Sequence, residues 1–188
     1  LTAGGCVVFP AGDYLVTGLT TANATMLIGM GDAAIVSATD AVLLTVSASD
    51  VSISGLTFLG DGKGATYDDG KTGQHGIRLY YKYRVRISDC LFEDLGGAGV
   101  ITEDTTNNHI GNLVVGCTFD TCNRGIWATT RGEYLIVSGC IMSLCNYGAV
   151  VGAGNVTIVG CNITDCATGV RVITGENDSH GMVSACLI

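Results

Sequence analysis

Three phrases of the sequence share one pattern and decide the fold: GCTFDTC at residues 116–122, GCIMSLC at 139–145 and GCNITDC at 160–166. In each phrase a glycine is followed by two cysteines that stand five residues apart. Self-similarity at a short period is typical of repeat proteins, and it governs how every local motif has to be interpreted. The first question is therefore how far the repeat extends.

The first cysteine of the phrase recurs through the second half of the chain with a variable period. Its positions, 27, 23, 21 and 25 residues apart, are Cys90, Cys117, Cys140, Cys161 and Cys186. A short alternating stretch such as VRIS or VTIV precedes most of them. The second cysteine of the phrase recurs in the same way and forms a second column, in which a leucine takes its place once: Leu95, Cys122, Cys145 and Cys166. After it come a glycine and another apolar stretch, such as GIWA or GVRV, and period-two alternation predicts strands with one buried face.

The repeating unit is therefore strand, turn, strand, turn, strand and a loop of variable length. A unit of 21 to 27 residues cannot bury its apolar face alone, whereas stacked units share one continuous core. A leucine-rich repeat would show its leucine and asparagine spacing, and a propeller blade needs about 40 residues. With 28 glycines, one proline and 6% aromatic residues, the chain is predicted to be an all-β, right-handed, single-stranded parallel β-helix.

The first coils support this prediction independently. The stretch GGCVVFPAGDYLV at 4–16, followed by TMLIGMG and DAAIVS, resembles the opening coils of the pectate-lyase-like superfamily. The resemblance covers essentially the whole chain, and the superfamily includes bacteriophage tailspikes and polysaccharide lyases and hydrolases. We expect one β-helix domain over 1–188, with opening coils over 1–49 and repeating coils over 50–188. Because the sequence starts at Leu1 and stops within a repeat, we expect a segment of a longer chain.

The charge balance excludes some partners. With 17 acidic and 9 basic residues the net charge is −8, which argues against binding to a nucleic-acid backbone. No apolar run is long enough to span a bilayer, so no membrane insertion is predicted. The first residues lack the order of a signal peptide, which favours folding in a reducing cytoplasm.

The cysteines are predicted to be architectural. Zinc sites normally use close CxxC or CxxH pairs that converge on one point, whereas these cysteines recur once per coil and should lie in lines. Disulfides between rungs about 4.8 Å apart are the alternative, but nine cysteines without a signal peptide favour free thiols. We therefore expect Cys117, Cys140 and Cys161 to be buried and in line, and we predict no metal and no cofactor.

Catalytic residues are sought in the variable loops, which lie at 59–75, 102–112, 129–134 and 174–181. Glu103 and Asp104 follow one strand, and Glu133 follows the matching strand of the next coil. Glycoside hydrolysis needs two carboxyl groups roughly 5 to 9.5 Å apart, which one or two rung spacings supply. These three residues are the candidate catalytic group. The alternative is that they only solvate an acidic protein.

Binding residues are sought on the strand after the recurring glycine. If the residue after that glycine points inward, the next residues form an outward column: Arg78, Ile101, Trp127, Val150 and Arg171. One interpretation is that Trp127 stacks on sugar rings, with Arg131, Arg78 and His75 as further candidate substrate-binding residues. The favoured interpretation is that Ile101, Trp127 and Val150 form an exposed apolar patch that packs against another subunit, because a monomer would avoid such a patch. Resemblance to tailspikes implies that this partner would complete a homotrimer.

The leading functional hypothesis is a tailspike-like protein in a virion tail that recognises a bacterial surface polysaccharide; whether it also cleaves the polysaccharide is left open. Such a protein would be folded in the host cytoplasm. Its other expected partners are virion tail proteins. The rival hypotheses are a non-catalytic structural or adhesive shaft and a free-standing bacterial lyase or glycoside hydrolase. Resemblance to the lyases implies carboxylates that hold calcium and an arginine base, but no residues of this chain match that arrangement.

Overall fold

The computed structural model describes residues 5–21, 25–37, 39–61, 70–80, 82–103, 111–129, 132–152, 154–173 and 181–188. The described residues form short strands joined by turns. In chain order the strands are β1 Gly5–Phe9, β2 Gly12–Leu15, β3 Leu19–Thr20, β4 Thr25–Gly29, β5 Ala33–Val36, β6 Leu44–Val46, β7 Ser52–Ser54, β8 Thr57–Leu59, β9 Ile77–Leu79, β10 Arg86–Ser88, β11 Leu91–Glu93, β12 Ala98–Thr102, β13 Leu113–Val115, β14 Thr118–Asp120, β15 Arg124–Ala128, β16 Ile136–Ser138, β17 Ile141–Ser143, β18 Tyr147–Val151, β19 Val156–Val159, β20 Asn162–Thr164, β21 Thr168–Val172 and β22 Gly181–Ser184.

The strands build three parallel sheets, and each of the first seven coils contributes one strand to every sheet, while β22 adds an eighth strand to one of them. Sheet A has the order β1-β4-β7-β10-β13-β16-β19-β22, sheet B the order β2-β5-β8-β11-β14-β17-β20, and sheet C the order β3-β6-β9-β12-β15-β18-β21. The chain runs from A to B to C and then returns to A one rung further on. This is the predicted parallel β-helix, with three strands in each coil.

The pairing within sheet A confirms the predicted repeat. Arg86 pairs with Leu113, Leu113 with Ile136, Ile136 with Thr157 and Thr157 with Met182. These pairs have the same spacings as the first column of cysteines, so the variable period reflects loop length and not a change of register. The stretches quoted above lie in β10 and β19, and those after the recurring glycine lie in β15 and β21.

An aromatic stack fills the middle of the core. The rings of Phe58 and Phe92 are stacked with centroids 5.1 Å apart, and those of Phe92 and Phe119 with centroids 4.8 Å apart. Met142 and Ile163 occupy the same place in the next two coils. Rings at rung spacing stack face to face because successive strands of sheet B hold them in register.

The thiols form two interior ladders, as predicted. Cys117, Cys140 and Cys161 are 1%, 1% and 2% exposed. Their coils stack directly, since the Ile141 N–H donates to the Cys117 carbonyl oxygen at 2.9 Å and the Asn162 N–H to that of Cys140 at 2.9 Å. All nine cysteines are free thiols. The hydrogen bond with the Cys117 thiol, together with burial, raises the pKa of Cys140 to about 12, so this thiol is uncharged and unreactive at neutral pH.

The glycine before each cysteine makes the turn from sheet A to sheet B. Gly116, Gly139 and Gly160 have φ values of 62°, 61° and 63°, in the left-handed region that glycine adopts without a steric cost. Asp89 and Ala185 take the same place with φ values of 54° and 51°. The repeated phrase is therefore a turn followed by an inward thiol.

Candidate functional site

The outer face of sheet C combines cationic and aromatic side chains. The first outward column is the predicted one, because Arg78 pairs with Ile101, Ile101 with Trp127, Trp127 with Val150 and Val150 with Arg171. Thr45 precedes Arg78 in the same column.

A second outward column was missed by the sequence interpretation. Arg124 of β15 pairs with Tyr147 of β18, and Tyr147 pairs with Thr168 of β21. Two residues lie between the two columns, the recurring glycine and the residue after it. The glycine packs inward, since a Cβ added at Gly99 would lie 2.4 Å from Cδ1 of Phe119. Because that glycine and the residue after it both face the core, the residue before the glycine points outward as well.

The two columns meet at Trp127. The guanidinium carbon of Arg124 lies 4.3 Å from the centroid of the Trp127 ring and 5.9 Å from that of Tyr147. On the other side of Tyr147, the guanidinium of Arg171 lies 5.4 Å from the ring, and its Nη1 donates to the Tyr147 hydroxyl at 3.2 Å. We call Trp127, Arg124, Tyr147 and Arg171 the cation–aromatic ladder. It spans three neighbouring coils.

His75 lies two residues before β9 and packs against Trp127 of this ladder. Its Nδ1 accepts a hydrogen bond from the Ala98 N–H at 2.8 Å, and its ring centroid lies 6.1 Å from that of Trp127 in an edge-to-face arrangement. His75 is only 7% exposed. Burial first, and then the positive charges of Arg124 and Arg78, lower its pKa to about 4. A neutral imidazole therefore packs beneath Trp127, and its predicted contact with substrate stays a prediction.

Arg78 lies in the first column, two coils before Trp127. Its Nη1 is 3.4 Å from Oε2 of Glu103, and its Nη2 donates to Oγ1 of Thr45 at 3.4 Å. The guanidinium carbon also lies 5.7 Å from the centroid of Tyr80. This predicted binding residue thus faces solvent with a carboxylate and an aromatic ring beside it, on the same face as Trp127.

The exposed apolar patch predicted for this face is wrong. Ile101 and Val150 are only 2% and 4% exposed, although they point outward. Ile101 lies between Arg78 and Trp127, and Val150 between Trp127 and Arg171, so longer side chains one rung away cover both. Trp127 itself is half-buried.

The proposed catalytic carboxylates lie on neighbouring coils. Glu103 directly follows β12, where its N–H donates to the Leu79 carbonyl oxygen at 3.0 Å. Glu133 lies in the turn after β15, beyond Gly132, which packs against Thr102. Both glutamates are half-buried. Their pairing stays a prediction, and the other two predicted residues of this region, Asp104 and Arg131, lie outside the described residues.

A second pair of carboxylates lies on the outer face of sheet B. Glu93 pairs directly with Asp120 of the next coil, about one 4.8 Å rung away. Burial, and then the charges of Asp94 and Asp120, raise the pKa of Glu93, while Asp120 accepts a hydrogen bond from Oγ of Ser143 at 2.6 Å. The sequence signal was available in LFED and TFDT, where an acid follows the inward phenylalanine in adjacent coils.

In the described part of the chain, no group of three or more His, Cys, Asp and Glu side chains is placed to hold a metal ion. No helix among those residues is long and apolar enough to cross a membrane.

The sequence matches the family described as the right handed beta helix region over residues 33–184. The match covers most of the chain, so this protein belongs to the right-handed β-helix family. The predicted handedness and the pectate-lyase-like fold are thereby confirmed. Among curated proteins no match is found.

Solved structures with the same fold include carbohydrate-active enzymes. A pectin methylesterase in complex with a hexasaccharide has a TM-score of 0.59 at 12% identity, over 97% of this chain and 80% of the enzyme. A putative glycosyl hydrolase from Parabacteroides merdae has a TM-score of 0.50 at 13% identity, over 98% of this chain and 82% of that protein. For the ORF18 protein of Geobacillus virus E2 the TM-score is 0.49 at 14% identity, and 96% of this chain spans 54% of that protein. At these identities, the likeness to the two enzymes concerns the fold.

Proposed function

We propose that the outer face of sheet C binds a bacterial surface polysaccharide, and that the chain belongs to a tailspike-like protein of a bacteriophage tail. The observation that carries polysaccharide binding is the cation–aromatic ladder, in which Arg124 stacks on Trp127 at 4.3 Å. Aromatic faces pack against the apolar faces of sugar rings, and guanidinium groups donate several directed hydrogen bonds to hydroxyl or carboxylate oxygens. A face that presents both kinds of group along three neighbouring coils is suited to an extended sugar chain.

The surroundings of the ladder support this proposal. Tyr80, Tyr83 and Tyr134 are 43%, 38% and 47% exposed, and all three lie in the segments that lead from sheet C to sheet A. They place further aromatic rings at the border of the same face. The pectin methylesterase of similar fold carries a hexasaccharide, which gives a precedent for a sugar chain on such a solenoid.

The test compares two arginines that lie on different outer faces of the solenoid. Arg124→Gln removes a guanidinium from the ladder, whereas Arg86→Gln removes an outward arginine from sheet A. Both variants and the unmodified chain are titrated with purified capsular and O-antigen polysaccharides. We expect binding to weaken in Arg124→Gln and to stay unchanged in Arg86→Gln. Equal binding by all three proteins would contradict the proposed face.

Cleavage is a second candidate function, favoured by the carboxylates next to this face. Glu103 lies against Arg78 of the ladder's own sheet, and Glu133 lies on the next coil. Depolymerisation of a bound polysaccharide is measured for the unmodified chain, Glu103→Gln and Glu133→Gln, with Glu93→Gln as the comparison on sheet B. Loss of cleavage in the first two variants supports their catalytic role. Unchanged cleavage in both variants would contradict a catalytic role for Glu103 and Glu133. Binding without cleavage by the unmodified chain would favour the non-catalytic adhesive shaft.

The tailspike proposal also includes a homotrimer and contacts with other virion tail proteins. It rests on the resemblance of the opening coils, GGCVVFPAGDYLV, to those of the superfamily. The mass in solution tests it against the free-standing enzyme. A trimer favours the tailspike, and a chain that stays folded as a monomer at all concentrations counts against it.

A further inference from the structure

The charged residues of the described strands are sorted by sheet. Those in the strands of sheet C are all arginines, namely Arg78, Arg124 and Arg171. The charged residues in the strands of sheet B are all acidic, and the strands of sheet A contain a single arginine. In a chain of net charge −8, sheet C therefore concentrates positive charge on one face, and such a face attracts anions.

The three arginines stand on every second strand of sheet C. Arg78 lies in β9, Arg124 in β15 and Arg171 in β21. The strands between them, β12 with the sequence AGVIT and β18 with the sequence YGAVV, contain no charged residue. Because neighbouring strands lie ~4.8 Å apart, positive charge recurs about every 9.6 Å along the solenoid axis.

The guanidinium groups share one track with the aromatic rings, although their strands hold them in two columns. Arg124 belongs to the second column, but its guanidinium carbon lies 4.3 Å from the Trp127 ring of the first. Arg171 belongs to the first column, and its guanidinium lies 5.4 Å from the Tyr147 ring of the second. Each of these cations thus reaches a ring of the other column, so a single extended chain can contact both kinds of group.

We propose that the polysaccharide bound on sheet C is acidic and carries one carboxylate on every second sugar. This inference rests on the proposed function of the face and names the class of polymer that it takes. One sugar of an extended chain advances by about one rung, so a disaccharide repeat advances by about two. Successive carboxylates then meet successive arginines, each of which can donate two parallel hydrogen bonds to a carboxylate. The uncharged sugars lie at the levels of β12 and β18.

The dimensions of the face set the expected length of ligand and strength of binding. From β9 to β21 the three cationic levels span about 19 Å, which corresponds to three carboxylates within about five sugars. The arginines are half-buried or exposed, so each should contribute about threefold to affinity, and the three together about tenfold or more. Glu103 lies 3.4 Å from Nη1 of Arg78 and partly neutralises it, so Arg78 should contribute least.

Polymers of defined charge spacing provide the test. Hyaluronan carries a carboxylate on every second sugar, polygalacturonate on every sugar and dextran on none, while methyl esterification of hyaluronan removes the charge and keeps the backbone. Isothermal titration of the unmodified chain should give about tenfold or tighter binding of hyaluronan than of its methyl ester or dextran. Added salt should weaken this preference. Polygalacturonate should bind less tightly than hyaluronan, because its additional carboxylates face the uncharged levels of an acidic protein.

The length of the ligand is a second measurement. A hyaluronan hexasaccharide has three carboxylates and a tetrasaccharide has two, so the hexasaccharide should bind about threefold more tightly.

Arginine variants then connect the preference to this face. For Arg124→Gln, Arg171→Gln and the control Arg86→Gln on sheet A, the ratio of the affinities for hyaluronan and its methyl ester is measured. A variant with a damaged fold loses both affinities together, whereas loss of a carboxylate contact lowers the ratio. We expect the ratio to fall about threefold in the two sheet C variants and to stay unchanged in Arg86→Gln. Arg124→Lys, which keeps the charge, should retain more of the ratio than Arg124→Gln.

The outcomes separate this inference from the proposed function. Equal affinities for hyaluronan and its methyl ester overturn the inference, and so does tighter binding of polygalacturonate. Binding of a neutral O-antigen without binding of hyaluronan also overturns it, but leaves polysaccharide binding on sheet C standing. Failure to bind any of these polymers, or any of the capsular and O-antigen polysaccharides, contradicts both.

Discussion

The interior of the solenoid and the outer face of sheet C are built by the same strands, yet they follow different rules. In β15, Ile126 and Ala128 face the core, while Arg124 and Trp127 face outward. Inside, each coil repeats its neighbour, with phenylalanines stacked at 4.8 to 5.1 Å and thiols in line. Outside, the side chain changes at every rung. Stability should therefore depend on the interior and binding on the outer face.

The largest expected effect comes from the aromatic stack. Phe119→Ala removes a fully buried ring that contacts Phe92 and leaves a cavity, which should lower the free energy of unfolding by about 3–5 kcal/mol. Urea unfolding followed by circular dichroism measures this loss. Ile141→Ala, at an exposed position of the next coil, is the control and should change stability by less than about 1 kcal/mol. Similar losses in both variants would break the distinction between interior and surface.

His75 lies between the two regions and gives a pH-dependent test of their coupling. Its pKa is about 4 in the folded chain against 6.5 when unfolded, so between these values the unfolded state binds more protons. The contribution of His75 to the free energy of unfolding is therefore fully present above about pH 6.5. It decreases by about 3 kcal/mol as the pH falls to about 4. Urea unfolding across this range measures it.

The control for this prediction is His75→Gln. Carboxyl groups also titrate near pH 4, so the contribution of His75 is the difference between the two proteins. Between about pH 4 and pH 6.5, the slope of the unfolding free energy against pH should be smaller in His75→Gln, by the contribution of about one proton per molecule. Identical pH profiles would show that His75 is not buried in the neutral form beneath Trp127.

The thiol ladder gives a smaller effect. Cys140→Ser replaces a buried apolar group by a hydroxyl and should lower the free energy of unfolding by about 1–3 kcal/mol. Cys6→Ser, at an exposed position, is the matched control and should leave stability unchanged. Unfolding under reducing conditions compares the two. Equal stability of both variants would mean that the ladder is not packed as described.

The smallest expected free-energy change is at the outer face. Trp127→Ala should weaken polysaccharide binding by about tenfold, about 1.4 kcal/mol, because it removes the ring on which Arg124 stacks. Isothermal titration with a polysaccharide that the unmodified chain binds measures the change. Phe119→Ala, when folded, should bind normally. A stability loss in Trp127→Ala as large as that of Phe119→Ala would erase the contrast between the regions.

The interior could be predicted from the sequence because its signal repeats. The spacing of Cys117, Cys140 and Cys161 gave the register of sheet A, and the recurring glycine gave the direction of Arg78 and Trp127. Each of these signals is present several times, so one misleading coil does not hide the pattern. The physical reason is that stacked coils require compatible side chains at every interior position.

The outer face could be predicted only in part, because its side chains need not match from coil to coil. Arg124 and Tyr147 were missed, since strict alternation does not show that the residue before the recurring glycine also points outward. The burial of Ile101 and Val150 depends on the length of neighbouring side chains one rung away. The direction of a side chain follows from the alternation of residues along its strand. Its exposure to solvent depends on the side chains of neighbouring coils.

The unequal coil lengths have an evolutionary consequence. Between successive strands of sheet A the chain uses 27, 23, 21 and 25 residues, yet the parallel pairing continues without interruption. Residues can therefore be inserted or deleted where a coil leaves sheet C while the stacked strands keep their partners. If the chain binds a surface sugar as proposed, a lineage that meets a new sugar can replace these segments one at a time and keep the stacked strands unchanged.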